Sequence, residues 1–261
     1  MHPILNIAIR AIRKGGDFIA QKYDVQKNSI FNKNSIDNLE NIIYISQKKM
    51  IEIISKSYPN HSIVINKIKS KDILNNIIWI INPLNGKTNF NRNIPHFCIS
   101  IVITIKNKTE ISVIYDPIKN ELFSAIRGKG AQLNGYRMRC NNVCSLILST
   151  LSIHISNQDE FNNILYLKII KTLLNENINF RLSGSTTLDL AYVAAGRLDC
   201  VLYMNFKPWN VYAGELQLKE SGALVCNHKV THDHQKSNFF LTGNAKFIRL
   251  ILKKIQDVFP L

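Results

Sequence analysis

Apolar residues change their period along this chain, and that change fixes the class of fold open to it. Leu5, Ala8, Ile9, Ile12 and Ile19 recur at helical spacing opposite Arg10, Arg13, Lys14 and Asp17, which predicts an amphipathic helix over residues 3–23. Pro3 suits the first turn, where a missing N–H breaks no helical hydrogen bond. A second helix is predicted from Asp37 to Ser57 on Leu39, Ile42, Ile43, Met50, Ile53 and Ile54, stopping before Pro59. Residues 24–36 between them are polar and rich in Asn and Lys, and read as a mobile loop or degraded hairpin. Runs of β-branched residues follow: Ile63–Ile65, Ile77–Ile81, Phe97–Ile105 and Glu110–Tyr115 read as strands.

Glu121–Ile126 and Ala131–Leu133 read as a hairpin around Gly128 and Gly130. That Gly-x-Gly is no dinucleotide fingerprint, because no third glycine opens a helix after it. Further helices are predicted at 159–175, 186–196, 210–221 and 244–259, with strands between them. The expectation is an α/β chain forming a single domain, with subdomains of about 1–144 and 145–261. A chain of 261 residues is long enough for one large core.

Arg10, Arg13 and Lys14 interrupt the first apolar run, so it does not read as a signal peptide. No stretch reaches the roughly 18 continuous apolar residues of a membrane span. Cys98, Cys140, Cys144, Cys200 and Cys226 are odd in number and form no CxxC pair, which fits reduced, mostly buried thiols in a cytoplasmic protein. The net charge of +15, from 33 basic and 18 acidic residues, suits contact with a polyanion such as RNA. Heavy use of Asn, Ile and Lys offers a second account, since drift toward A+T-rich codons raises Lys and turns Asp into Asn. Lys119, Arg127, Lys129, Arg137 and Arg139 gather around the predicted hairpin with Tyr136 among them. They are candidate RNA contacts, and a solvated basic face is the plainer alternative. His228, His232 and His234 with Asp233 hint at a transition-metal site, but their polar surroundings favour an exposed turn.

Two segments carry the chemistry. Residues 79–90 read Trp79-Ile80-Ile81-Asn82-Pro83-Leu84-Asn85-Gly86-Lys87-Thr88-Asn89-Phe90, and residues 209–214 read Trp209-Asn210-Val211-Tyr212-Ala213-Gly214. They resemble the two signatures of the inositol monophosphatase family, Trp-x-x-Asp-Pro-Leu/Ile-Asp-Gly-Thr-Thr-Asn-Phe and Trp-Asp-x-x-Ala-Gly. Pro95-His96-Phe97, Tyr115-Asp116-Pro117, the run from Gly128 to Gly135 and the run from Ala191 to Arg197 extend the likeness over nearly the whole chain. The resemblance implies a layered α-β-α-β-α fold of the inositol monophosphatase and fructose-bisphosphatase type. It also implies a Mg²⁺-dependent phosphomonoesterase site in intact members.

This sequence departs from the pattern at the carboxylates. The former metal-ligand positions are Asn66, Asn82, Leu84, Asn85 and Asn210; a further acidic position falls on Ile43, and the substrate-contacting Glu on Tyr203. The water-orienting Glu and Thr of the family fall on Asn66 and Lys87. Mg²⁺ needs charged oxygen ligands, and amides supply none of that charge. No cofactor is therefore expected and no catalytic residue is intact, while Lys67 and Lys87 turn the pocket neutral to positive. The backbone N–H groups of Gly86, Lys87 and Thr88 are candidates for residual phosphate binding without hydrolysis; passive decay is the simpler account. Trp209 and Phe90 are expected in the core.

Within the family the likeness is greatest to bacterial Nus factors. It implies a binding role in ribosomal RNA transcription antitermination and co-transcriptional RNA folding, with NusA, the RNA polymerase antitermination complex and ribosomal RNA as partners, no membrane, and a homodimer as one possible state. The competing readings are a residual Mg²⁺-dependent inositol-1-phosphate phosphatase and an evolutionary remnant without a role. Intact glycines, prolines and apolar periodicity oppose the remnant.

Overall fold

A computed structural model describes residues 2–28, 35–66, 76–154, 160–204, 206, 208–227 and 239–258. Two long helices open the fold, α1 (Pro3–Asn28) and α2 (Ser35–Ser57). Seven strands follow in simple sequential order: β1 (Ser62–Ile65), β2 (Ile77–Asn85), β3 (Cys98–Ile105), β4 (Lys108–Asp116), β5 (Glu121–Ile126), β6 (Gly130–Leu133) and β7 (Tyr136–Met138). Only β1 and β2 pair parallel; the other neighbours are antiparallel. A short helix α3 (Lys87–Asn91) interrupts the chain between β2 and β3.

The second sheet has the order β11-β12-β10-β8-β9, from β8 (Thr150–His154), β9 (Asn179–Arg181), β10 (Cys200–Met204), β11 (Leu224–Cys226) and β12 (Phe239–Gly243). Its helices are α4 (Glu160–Leu174), α5 (Thr186–Ala194), α6 (Tyr212–Ser221) and α7 (Ala245–Ile255). α7 opens on Asn244, whose side chain accepts from the N–H groups of Lys246 and Phe247. α6 closes on Gly222 at φ 89, the left-handed turn that glycine adopts without strain.

Strand alternation explains the layers. In β2, Trp79 and Ile81 face a cluster with Leu5, Ile12, Ile19, Met50 and Ile54 of α1 and α2. Ile78 and Ile80 face the opposite way, into a cluster with Leu188 and Ala191 of α5 and with Leu216 of α6. In β10, Val201 and Tyr203 join that same middle layer, while Cys200 and Leu202 face Ile169 of α4 and Ile251 of α7. The central strands of both sheets are covered on both faces, so they are apolar at odd and even positions alike. The result is the α-β-α-β-α layering of the expected fold.

Four expectations need correction. α1 does not stop at residue 23 but runs to Asn28. Tyr23 is buried and donates to the Asn93 carbonyl at 2.7 Å, and Gln26 donates to the Asn91 carbonyl, so a distant loop holds this polar helix end. β2 continues through Pro83 to Asn85, and β7 extends the hairpin by a strand not foreseen. Phe90 is fully buried as expected, but Trp209 is only half-buried, on a 3₁₀ turn (Pro208–Asn210) before α6. Cys98, Cys200 and Cys226 are buried free thiols, Cys140 is half-buried and Cys144 is exposed.

Candidate functional site: the degenerate cleft

The cleft forms where the end of β2, α3, the start of α5 and the start of α6 meet. Pairing of β2 with β3 shifts register between Asn82 and Asn85, which accommodates Pro83 without losing a ladder donor. Gly86 then turns the chain into α3 at φ 96; a Cβ there would lie 2.9 Å from Cβ of Phe97. Glycine is required at this point for both reasons. Asn89, buried in α3, donates to the carbonyls of His96 and Ser183 at 2.6 and 2.7 Å and so ties α3 to the approach of α5.

Asn85 is buried, and its Oδ1 accepts from Ser185 Oγ at 2.9 Å and from the Thr187 backbone N–H at 3.1 Å. A backbone N–H can only donate, so the oxygen of this amide, not its nitrogen, faces α5. Thr187 also donates its hydroxyl to the Asn210 carbonyl at 2.9 Å. One residue in the first turn of α5 therefore joins two former ligand positions.

The other singled-out residues scatter. Lys87 points out of the cleft, its Nζ 2.9 Å from Glu40 Oε1, in a pair exposed on both sides (52% and 66%) and so weakly stabilising. Gly86 and Thr88 flank it on the chain. Asn82 is buried beside Asn85, and Leu84 packs into the α1–α2 cluster. Asn66 ends β1 at φ 58, with a buried Oδ1 that has no hydrogen-bond partner among the described residues. Ile43 and Tyr203 have become core, at 7% and 0% exposure. Lys67 and the histidines 228, 232 and 234 lie outside the described residues.

Magnesium is the ion the resemblance implies, and the residues present do not fit it. The Asn85 oxygen already accepts two protein hydrogen bonds, Ile43 offers an apolar side chain, and the hydroxyl of Tyr203 is engaged elsewhere. Among the described residues no group of three or more His, Cys, Asp or Glu side chains is placed to hold a metal. Neither an amide nor an exposed, paired ammonium can take a proton from water as a carboxylate does. What remains in the cleft is the Asn85 amide, bonded across the layers to the Ser185 hydroxyl and the Thr187 N–H.

Sequence reasoning missed Asp189, the acid at the centre of this region. It is buried in α5 and accepts from His96 Nε2 at 3.1 Å, Ser152 Oγ at 2.6 Å, Ser183 Oγ and Tyr203 OH at 3.3 Å. Its signal was legible: a carboxylate inside Leu188-Asp189-Leu190-Ala191 must be buried, and a buried charge needs partners.

The basic group around the hairpin is divided. Lys119 pairs with buried Asp116 at 3.2 Å and with the hydroxyl of Tyr192 at 2.9 Å. Arg127 pairs with Glu110 at 3.0 Å. Lys129, Arg137 and Arg139 are exposed and make no ion pair among the described residues.

Against known proteins, the profile of the inositol monophosphatase family matches residues 1–258. A Nus factor SuhB from Buchnera aphidicola subsp. Schizaphis graminum is 49% identical, over 99% of this chain and 98% of its own. The Nus factor SuhB of Escherichia coli strain K12 is 39% identical, over 98% of this chain and 97% of its own. Among solved structures, extragenic suppressor protein suhB from Bartonella henselae superposes with a TM-score of 0.85 at 26% identity, covering 98% of this chain and 99% of that one.

Proposed function

Because this chain belongs to the inositol monophosphatase family, we propose that it keeps the family's scaffold as a binding protein and has given up hydrolysis. The role is that of a SuhB-like Nus factor. It joins NusA and RNA polymerase in the cytoplasm, supporting antitermination and co-transcriptional folding of ribosomal RNA.

One observation carries the reading: the side-chain oxygen of Asn85, at a former metal-ligand position, is occupied by Ser185 and Thr187. The place of the ion is taken by hydrogen bonds between layers, which strengthen the fold and leave no Lewis acid to activate water. Similarity to proteins named Nus factor SuhB supports the binding role, since such a role needs surface and shape alone. Among the described residues no helix is long and apolar enough to cross a membrane.

Phosphate release from inositol-1-phosphate, measured colorimetrically with added Mg²⁺, is expected to stay at background while immobilised NusA captures the chain. Turnover comparable to that of an intact family phosphatase would refute the loss of catalysis. Failure to bind NusA, alone or within the transcription complex, would refute the Nus-factor role.

A further inference from the structure

The β6–β7 hairpin closes one end of the first sheet, and among the described residues β7 pairs only with β6. Its turn residues Asn134 and Gly135 are both left-handed, at φ 50 and φ 86, the Asn-Gly geometry that matches strand twist in a two-residue hairpin. The tip is anchored to β5: Asn134 N donates to the Leu122 carbonyl and Asn134 Oδ1 accepts from Leu122 N, each at 2.8 Å. On this rigid support the Tyr136 side chain is 81% exposed.

Around that ring the charges are unbalanced. Lys129, Arg137 and Arg139 are exposed and unpaired among the described residues. The nearby carboxylates are engaged elsewhere: Glu110 with Arg127, Asp116 with Lys119, Glu121 with Arg197. Glu220 reaches from α6 to accept the N–H groups of Gly128 and Gly130 at 2.7 and 2.8 Å, fixing the turn that carries Lys129. Cations on a short edge strand also discourage pairing between sheets, but an exposed tyrosine works against that purpose.

The geometry points to the β6–β7 hairpin as a contact for single-stranded RNA, with a base stacked on Tyr136 and phosphates met by Arg137, Arg139 and Lys129. Successive strand residues point to opposite faces, so Tyr136 and Arg137 flank the open edge of β7. A polynucleotide following that edge meets a ring on one side and a guanidinium on the other. Stacking on a tyrosine is open to unpaired bases and closed to a duplex, which selects single strands. This assignment deepens the Nus-factor reading, in which RNA is a partner, and adds the surface that meets it.

The test is fluorescence anisotropy of the full chain with a labelled single-stranded RNA of about 12 nucleotides, close to the length that single-strand modules cover. Wild type is expected to bind with an affinity that falls as salt rises. Arg137→Glu with Arg139→Glu should weaken binding tenfold or more and flatten the salt dependence by roughly 1.4 in log–log slope, about 0.7 for each lost phosphate contact. Tyr136→Ala should weaken binding about tenfold with the salt slope unchanged, since stacking carries no counterions. Lys246→Glu with Arg249→Glu, exposed on α7, is the control for diffuse charge and should change affinity little. Melting curves confirm that all variants fold.

Equal losses in the control and hairpin charge reversals, unchanged binding by either hairpin variant, or equal affinity for a duplex would each overturn the assignment. Hairpin-dependent RNA binding without capture by NusA sinks the Nus-factor role and leaves the RNA surface standing. NusA capture with hairpin variants that bind RNA like wild type does the reverse.

Discussion

Thr187 donates its backbone N–H to Oδ1 of Asn85 across 3.1 Å, joining the first turn of α5 to the end of β2 over a separation of 102 residues. Ser185 Oγ shares the same oxygen at 2.9 Å. Asn85→Ala removes the side-chain acceptor and leaves the buried Thr187 N–H unpaired, at about 1–3 kcal/mol, while Ser185 Oγ keeps the backbone carbonyl of residue 85 at 3.3 Å. Differential scanning fluorimetry should show a Tm lower by roughly 5 °C or more. Asn85→Asp restores a carboxylate that accepts the same two bonds. It should melt near wild type and still release no phosphate with Mg²⁺, because Asn66, Asn82 and Asn210 remain amides. An Asn85→Ala chain as stable as wild type would remove the structural role assigned to this residue.

Acid should weaken the fold through His61 and His154. Burial lowers the pKa of both below the ordinary histidine value of 6.5, with Asp189 partly opposing the shift at His154. Geometry agrees at His61, whose Nδ1 accepts the indole N–H of Trp79 at 3.0 Å while its ring stacks on Tyr58. Protonation there would set one N–H against another. A depressed folded pKa means that the unfolded chain takes up protons first, so this stability is complete above pH 6.5 and is lost as pH falls through the lowered values. Urea midpoints followed by tryptophan fluorescence should drop between about pH 7.5 and about pH 5. His61→Gln, which can still accept from Trp79, should flatten that drop; an unaltered pH profile in this variant would exclude His61 as a contributor.

Most of the layer order was legible because helical and alternating periods are local properties of the chain. Trp79 and Ile81 against Ile78 and Ile80 already encode a sheet buried on two faces. The end of α1 was not legible, since the carbonyls that hold Tyr23 and Gln26 belong to Asn93 and Asn91. At the cleft, the lost carboxylates were visible as residue types. What replaced them was not: Asn85 is held by Ser185 and Thr187, which lie a hundred residues on. Lys87, read with Lys67 as turning the pocket neutral to positive, pairs with Glu40, a partner set by the packing of α3 on α2.

Asp189 gathers donors from both halves of the molecule, and its replacement should cost more than any one of them. Asp189→Leu leaves His96, Ser152, Ser183 and Tyr203 without their shared acceptor. A loss of about 3–5 kcal/mol in urea unfolding is expected. Tyr203→Phe removes one donor that also serves the Thr186 carbonyl and should cost about 1 kcal/mol. Because the two residues share a bond, Tyr203→Phe should cost less when introduced into Asp189→Leu. Strict additivity in this double-mutant cycle would show that they do not interact.

Gly214 lets α6 approach α5 closely enough to place both helices in the layer between the sheets. A Cβ at this position would meet Leu190 Cβ and lie 2.5 Å from Leu190 Cδ1. In an isolated helix, glycine to alanine gains up to about 1 kcal/mol. Here overpacking opposes it by roughly 1–3 kcal/mol, so Gly214→Ala should destabilise. Separating the helices would also pull Asn210 from Thr187 and strain the hydroxyl bond that ties α5 to the turn before α6. Leu190→Ala makes room at the cost of a cavity. The pair Gly214→Ala and Leu190→Ala should therefore be more stable than the sum of the single changes implies. A Gly214→Ala chain that melts above wild type would show that this contact does not set the spacing of the middle layer.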